Sequence, residues 1–213
     1  ADATSAVFAY DIDWSKIDVA TFSWQKVLGG EGGHGVLILG PRAVERLETY
    51  TPAWPLPKVF RLVSKGQLAE GVFKGETINT PSMLAVEDAI FALEWAKDLG
   101  GLKGLQARSD ANAAALNTIV EERSWLSHLA TDEATRSKTS VCLSVEGADA
   151  DFIKKFAALL EKQGAAYDIA GYRDAPAGLR IWCGATVNAE DIADLGPWLD
   201  WAYETTKAEL AAA

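Results

Sequence analysis

Lys26 closes the run Ser23-Trp24-Gln25-Lys26, where a short β-rich stretch, Val19 to Trp24, gives way to a turn rich in glycine. A lysine at the C-terminal edge of a strand faces the crevice in which open α/β sheets bind ligands. Desolvation or a neighbouring cation lowers its pKa from the usual ~10.4 and frees an amine that can attack a carbonyl and form a Schiff base. Asp2 lies 24 residues earlier and leads into an apolar segment. The turn Gly29-Gly30-Glu31-Gly32-Gly33-His34-Gly35 lets backbone pass close to a ligand, but it lacks the spacings of dinucleotide and nucleoside-triphosphate loops. Asn79-Thr80-Pro81 offers free N–H groups and a hydroxyl at a helix start, the makings of a phosphate site. Tyr172-Arg173 and Arg180 flank Pro176 and Gly178, and two arginines on adjoining segments suit a substrate with two anionic groups. Each feature alone also fits a plain role: a loop lysine, a turn aspartate, a helix cap, surface ion pairs. His34 and His128 have no neighbouring Ser, Cys or metal-spaced partner and read as structural, and most of the eight tryptophans read as core.

The elements that must position these residues follow from pattern. Val19–Trp24 and Val36–Leu39 read as strands, and Gly40-Pro41 opens a helix over 42–49. Residues 50–75 hold three prolines and no clean period, which predicts a long loop with one hairpin around the alternating stretch Val59–Val63. Thr80 as N-cap and Pro81 as first residue predict a helix to about Leu99, with Leu84, Ile90, Leu93 and Ala96 marking its apolar face. Gly100-Gly101 stops it, and a second helix spans about 102–122. Strands follow at 140–146, 167–170 and 179–183. An amphipathic helix at 150–163 turns Phe152, Phe156, Leu159 and Leu160 inward, and Asn188 caps a last helix to about Leu210. The expected organisation is a first region, 1–108, and a small α+β domain, 109–213.

Composition sets the outer bounds. Of 213 residues, 20 are basic and 30 acidic, a net charge of −10, so binding nucleic acid through a broad basic surface is excluded. An anionic ligand must be held by a few local groups against that field. No apolar run approaches the roughly 18 residues of a membrane-spanning helix. Cys142 and Cys183 lie 41 apart without metal-type spacing, which points to a reducing, cytoplasmic setting. The chain opens on Ala1-Asp2-Ala3-Thr4-Ser5 and turns apolar at once, with Met83 its only methionine, so it is expected to be the C-terminal piece of a longer protein.

Taken together, Asp2-Ala3-Thr4-Ser5, Ser23-Trp24-Gln25-Lys26, the glycine-rich turn, Glu76-Thr77-Ile78-Asn79-Thr80-Pro81-Ser82 and the segment Tyr172 to Arg180 resemble phosphoserine aminotransferases. These belong to the fold-type I, class V group of enzymes that use pyridoxal phosphate (PLP). The resemblance covers essentially the whole chain. It implies an α/β fold: the second part of a large, mostly parallel-sheet PLP-binding domain, plus the small C-terminal domain. It implies that Lys26 bonds to the PLP aldehyde and moves the substrate proton, that Asp2 pairs with the pyridine nitrogen, and that Thr4 and Gln25 lie near the cofactor. Asn79 and Thr80 would reach the phosphate of the cofactor in the other subunit of a homodimer with shared active sites. Arg180 would grip the substrate α-carboxylate, and Arg173 with Tyr172 would face the substrate phosphate; many family members have histidine where Tyr172 stands. The implied substrates are phosphoserine and 2-oxoglutarate, and the implied partner is the N-terminal half of the same enzyme. Two other readings stand beside it: another class V enzyme such as a cysteine desulfurase, which needs a mobile cysteine, and a fragment without catalysis.

Overall fold

The computed structural model describes residues 1–32 and 35–212. Gly33 and His34, and with them the expected structural role of His34, lie outside the described residues. The chain divides into two compact units, Ala1–Trp95 and Ala96–Ala213.

In the first unit, β1 (Val19–Ser23) and β2 (Gly35–Leu39) form an antiparallel pair in the register Val19 to Leu39 through Ser23 to Gly35. Residues 1–3 lie along the other edge of β1 in parallel, with a bridge between Asp2 and Thr21. The ladders proper are antiparallel, so this bridge is the parallel component among the described residues. Ala20 and Phe22 alternate inward, and Phe22 packs with Ala3 and Val7 and meets the edge of the Phe8 ring at 5.7 Å. Helix α1 (Pro41–Thr49) begins with proline in its first turn, as expected.

The long stretch after α1 is less regular than its alternation predicts. Val59 and Phe60 sit in a 3-10 turn, and the hairpin falls later, as β3 (Val63–Ser64) and β4 (Gln67–Leu68). Lys65 and Gly66, both at positive φ, make its two-residue turn, a geometry that matches strand twist. Helix α2 (Met83–Asp98) starts after Pro81, not at it, because the Ser82 hydroxyl accepts a hydrogen bond from the Ala85 amide. Of its expected apolar face only Ala96 is buried, together with Ala85, Ala89 and Ala92, whereas Leu84, Ile90 and Leu93 are exposed. Gly100 and Gly101, both at positive φ, end it, with the Gly101 amide bonded to the Ala96 carbonyl.

The second unit is an α+β layer. Helix α3 (Leu102–Glu121) leads to β5 (Leu126–His128), a short strand that the sequence pattern did not show. Then come β6 (Ser140–Val145), α4 (Ala150–Lys162), β7 (Gly178–Trp182) and α5 (Ala189–Ala211). The strands form an antiparallel sheet in the order β5-β6-β7. The strand expected at 167–170 reduces to one bridge, Ala170 to Leu179, because Asp168 takes a left-handed conformation that breaks extended pairing.

The sheet has two different faces. Val141, Leu143 and Val145 of β6 are buried with Leu179 and Ile181 of β7 and with Leu116, Phe156, Leu160, Ile192 and Leu199 of the three helices. Full burial of a side chain such as Phe156 or Leu160 contributes about 2 kcal/mol. On α4, Ile153 joins the buried set and Leu159 stays half-buried. Ser140, Cys142 and Ser144 occupy the opposite face, and the register sets Cys142 beside Arg180 and Ser140 beside Trp182.

Polar anchors complete the unit. Arg123 pairs its Nε and Nη2 with the two carboxylate oxygens of Asp200, both at 2.8 Å. Gly196 leaves room for that guanidinium, since a Cβ there would meet Arg123 Nη2 at 3.1 Å. Trp125 stacks on Tyr203 at 4.2 Å. Buried Asn112 of α3 donates to the carbonyls of Cys183, Gly184 and Val187, and Arg108 donates to those of Ala185 and Val187. The turn from β7 to α5 is thus bracketed from α3. Asn188 stands at the N-cap of α5 as expected, but its side chain does not accept from the helix: it donates to Asp191 and accepts from Arg108. No described helix is long and apolar enough to cross a membrane. Replacing Asn112 with Ala leaves buried carbonyls short of donors and is expected to cost about 1–3 kcal/mol in urea unfolding; a midpoint equal to that of the parent chain would refute the bracket.

Candidate active site

The edge of β1 organises the first group of site residues. Ala1 donates to the Val19 carbonyl at 2.6 Å, Thr21 to that of Ala1 at 2.9 Å, and Ala3 to that of Thr21 at 2.8 Å. Parallel pairing sends residues 2–4 toward the end at which β1 leaves for Gln25 and Lys26. Asp2 is therefore held beside Thr21, and Lys26 follows five residues later at the tip of a turn. That turn is closed behind the lysine, where Gly30 donates to the Trp24 carbonyl at 3.0 Å and Gly29 to that of Lys26 at 3.1 Å. Lys26 is half-buried and Gln25 exposed.

Thr4 fixes the state of Asp2. Its amide and its hydroxyl both donate to Asp2 Oδ1, at 3.0 and 2.6 Å. These bonds, the hydroxyl first, lower the Asp2 pKa below the ordinary carboxylate value by stabilising the charged form. A charged carboxylate on the residue paired with the middle of β1, and an amine three residues past the end of that strand, are groups that a ring with an aldehyde and a basic nitrogen would use. Asn79 and Thr80 are exposed in the segment before α2.

The second unit carries the arginines. Arg180 projects from β7 on the polar face of its sheet. Its Nη2 donates to Asp168 Oδ2 at 2.7 Å and to the Asp168 carbonyl at 3.3 Å. The Tyr172 ring lies 4.5 Å from the guanidinium carbon, and the Tyr172 hydroxyl is 3.4 Å from Ser140 Oγ. Contact with Tyr172, and after it the Asp168 carboxylate, raises the Arg180 pKa further against partial desolvation. Tyr172 and Arg180 are thus brought together. Arg173 turns elsewhere: with Tyr172 and Lys154 it lines a groove of about 440 Å³ between α4 and the segment Ala170–Gly178. Asp168 and Ser140 are members of the Arg180 group that the sequence reading missed. Only the left-handed turn at Asp168 aims it back at Arg180, and no spacing rule announces that.

The two cysteines are unlike. Cys183 is buried just beyond β7, and burial pushes its thiol up to about 12, whereas Cys142 stays half-buried within β6. His128 is half-buried at the end of β5, where burial, then Arg136, lowers its pKa.

A family model for aminotransferase class-V matches residues 1–182. The chain belongs to the class-V aminotransferase family. Among curated relatives, phosphoserine aminotransferase of Methanosarcina barkeri is 57% identical over 206 residues, covering 97% of this chain and 55% of the relative. The Methanosarcina mazei protein of the same name is 56% identical with the same coverage. The chain therefore spans about half the length of the curated relatives it matches. Its fold matches a Cytophaga hutchinsonii phosphoserine aminotransferase with a TM-score of 0.76, at 22% identity, over 94% of this chain and 54% of that one. A PLP-bound phosphoserine aminotransferase of Trichomonas vaginalis gives 0.75 at 20% identity, over 93% of this chain and 52% of that one. The fold is that of the fold-type I aminotransferases, as the resemblance implies.

In this member of the class-V aminotransferase family, the support that Thr4 gives Asp2 has a definite sign. The folded-state pKa of Asp2 is depressed, so that support is present above the unfolded pKa and is lost as pH falls through the folded one. Thr4→Val removes the hydroxyl donor and keeps the amide. The Asp2 carboxyl resonance is then expected to titrate at higher pH in a ¹³C NMR titration; an unchanged curve would show that the hydroxyl does not hold the charge.

Proposed function

We propose that this chain provides the lysine-bearing part of the large domain, residues 1–108, and the small domain, 109–213, of a phosphoserine aminotransferase. The reaction is amino-group exchange between O-phospho-L-serine and 2-oxoglutarate. The observation that carries this reading is the Asp2–β1–Lys26 arrangement, in a chain 57% identical to a protein of that name. The residues present fit PLP: the Asp2 carboxylate accepts two hydrogen bonds from Thr4 that favour its charged form, as pairing with a protonated pyridine nitrogen requires, and Lys26 follows the strand along which Asp2 is paired. Bound there, PLP supplies the electron sink that makes the substrate Cα proton acidic.

The protein's own residues do the rest. Lys26 would hold the cofactor through its aldehyde and, once the substrate amine has displaced it there, its freed Nζ would carry the proton at substrate Cα. Asp2 would pair with the pyridine nitrogen and keep it protonated, with Thr4 and Gln25 near the cofactor. Asn79 and Thr80 serve the cofactor phosphate of the partner subunit in a homodimer, which accords with their exposure here. Arg180 takes the substrate α-carboxylate, and Arg173 with Tyr172 takes the phosphate. A cysteine desulfurase fits less well, because Cys183 is buried with a raised pKa and Cys142 lies within a strand. The enzyme is placed in the cytoplasm, and its activity needs the N-terminal half of the relatives' length. Trp54, Leu84 and Phe91, at 82%, 70% and 74% exposure, are side chains that such a partner region or subunit would cover.

In the complete enzyme, Lys26→Ala is expected to abolish the visible absorbance of lysine-bound PLP; persistence of that band would refute the assignment. Arg173→Ala is expected to raise KM for phosphoserine roughly 10- to 100-fold while changing serine turnover little, the worth of a charge-assisted pair. Equal losses for the two substrates would remove Arg173 from the phosphate.

A further inference from the structure

We infer that Asp168 is the resident counter-anion of Arg180, which an incoming substrate carboxylate must displace, so that this residue sets the affinity of the site for carboxylates. The inference rests on the assignment of Arg180 to the substrate α-carboxylate. A carboxylate can engage a guanidinium bidentately through Nη1 and Nη2 or through Nε and Nη2, and Nη2 is common to both modes. Nη2 carries two N–H groups, and Asp168 provides an acceptor for each: its carboxylate at 2.7 Å and its own carbonyl at 3.3 Å. The Tyr172 ring covers one face of the guanidinium. With Asp168 in place, neither bidentate mode is fully open.

The two halves of Asp168 differ in freedom. Its backbone is pinned: Arg180 donates to the Ile169 carbonyl at 2.7 Å, Ala170 bridges Leu179, and Gly171 donates to Gly178 at 2.9 Å. A φ of 52° then turns the side chain back toward Arg180. That side chain is 87% exposed, while Arg180 is only 18% exposed. An exposed ion pair is weak and reversible, so the carboxylate can swing away while the strand end stays fixed. A ligand carboxylate with a good bidentate fit displaces it, and a neutral group does not. Asp168 therefore acts on binding and leaves the proton transfer at Lys26 alone.

Asn and Gly both tolerate a left-handed backbone, so Asp168→Asn and Asp168→Gly remove the charge without strain. In the complete PLP-loaded enzyme, each is expected to tighten binding of glutarate, a dicarboxylate without a reacting group, by ~2- to 5-fold in calorimetry. KM for 2-oxoglutarate should fall by a similar factor with kcat unchanged. Unchanged or weaker glutarate binding in both variants would overturn the inference and make Asp168 a residue that orients Arg180. Arg180→Lys, measured beside them, separates the two levels. Weaker glutarate binding in that variant keeps Arg180 at the carboxylate, whereas unaltered binding would refute that assignment and this inference with it.

Discussion

Three main-chain hydrogen bonds between residues 1–3 and β1 hold the candidate site of the first unit together. They are short-range in space and long-range in sequence, and they set Asp2 beside Thr21, five residues before Lys26. Ala3 is buried under that pairing with Val7 and Phe22, so the apolar core and the polar edge stabilise the same geometry. Thr4 then uses both its donors on one oxygen of Asp2. Removal of the pairing would free the stretch that carries Asp2 and Thr4 from the strand that leads to Lys26.

The second unit separates stability from recognition by the pleat of its strands. Alternate residues of β6 and β7 go to the helices or to the polar face, and Arg180 falls on the polar side because Leu179 and Ile181 are needed on the other. A slip of one residue in this register would bury the guanidinium and expose both apolar neighbours. Tyr172 arrives on that face from the segment before β7 and is steadied by its proximity to Ser140. The phenol offers Arg180 a π-face, so this position contributes through stacking as well as through its hydroxyl.

Much of this was legible in the residues. Pro41 marked α1 and the period of Phe152 and Phe156 marked α4, because each carries a local cause for its element, and Asn188 marked the start of α5 although its side chain bonds to Asp191 and Arg108 and not to the helix amides. Lys26 and Asp2 each also fitted a plain role, and only the resemblance singled them out as a pair. The failures have physical causes too. Leu84, Ile90 and Leu93 outweigh alanine in any hydropathy reading, yet Ala85, Ala89 and Ala92 are the side chains of α2 that are buried. Thr80-Pro81 looked like a helix start, but Ser82 holds the capping oxygen at the position where the helix can begin. β5 has only three residues, too few to show a period. Asp168 was invisible because its role depends on one backbone dihedral, and no pattern of neighbouring residues encodes that.

The bracket that Asn112 and Arg108 throw around residues 183–188 has a mechanical meaning. It ties α3, a helix of 20 residues, to the segment that follows the strand bearing Arg180. Six hydrogen bonds from two side chains anchor that segment, so the path of the chain out of β7 is set from α3.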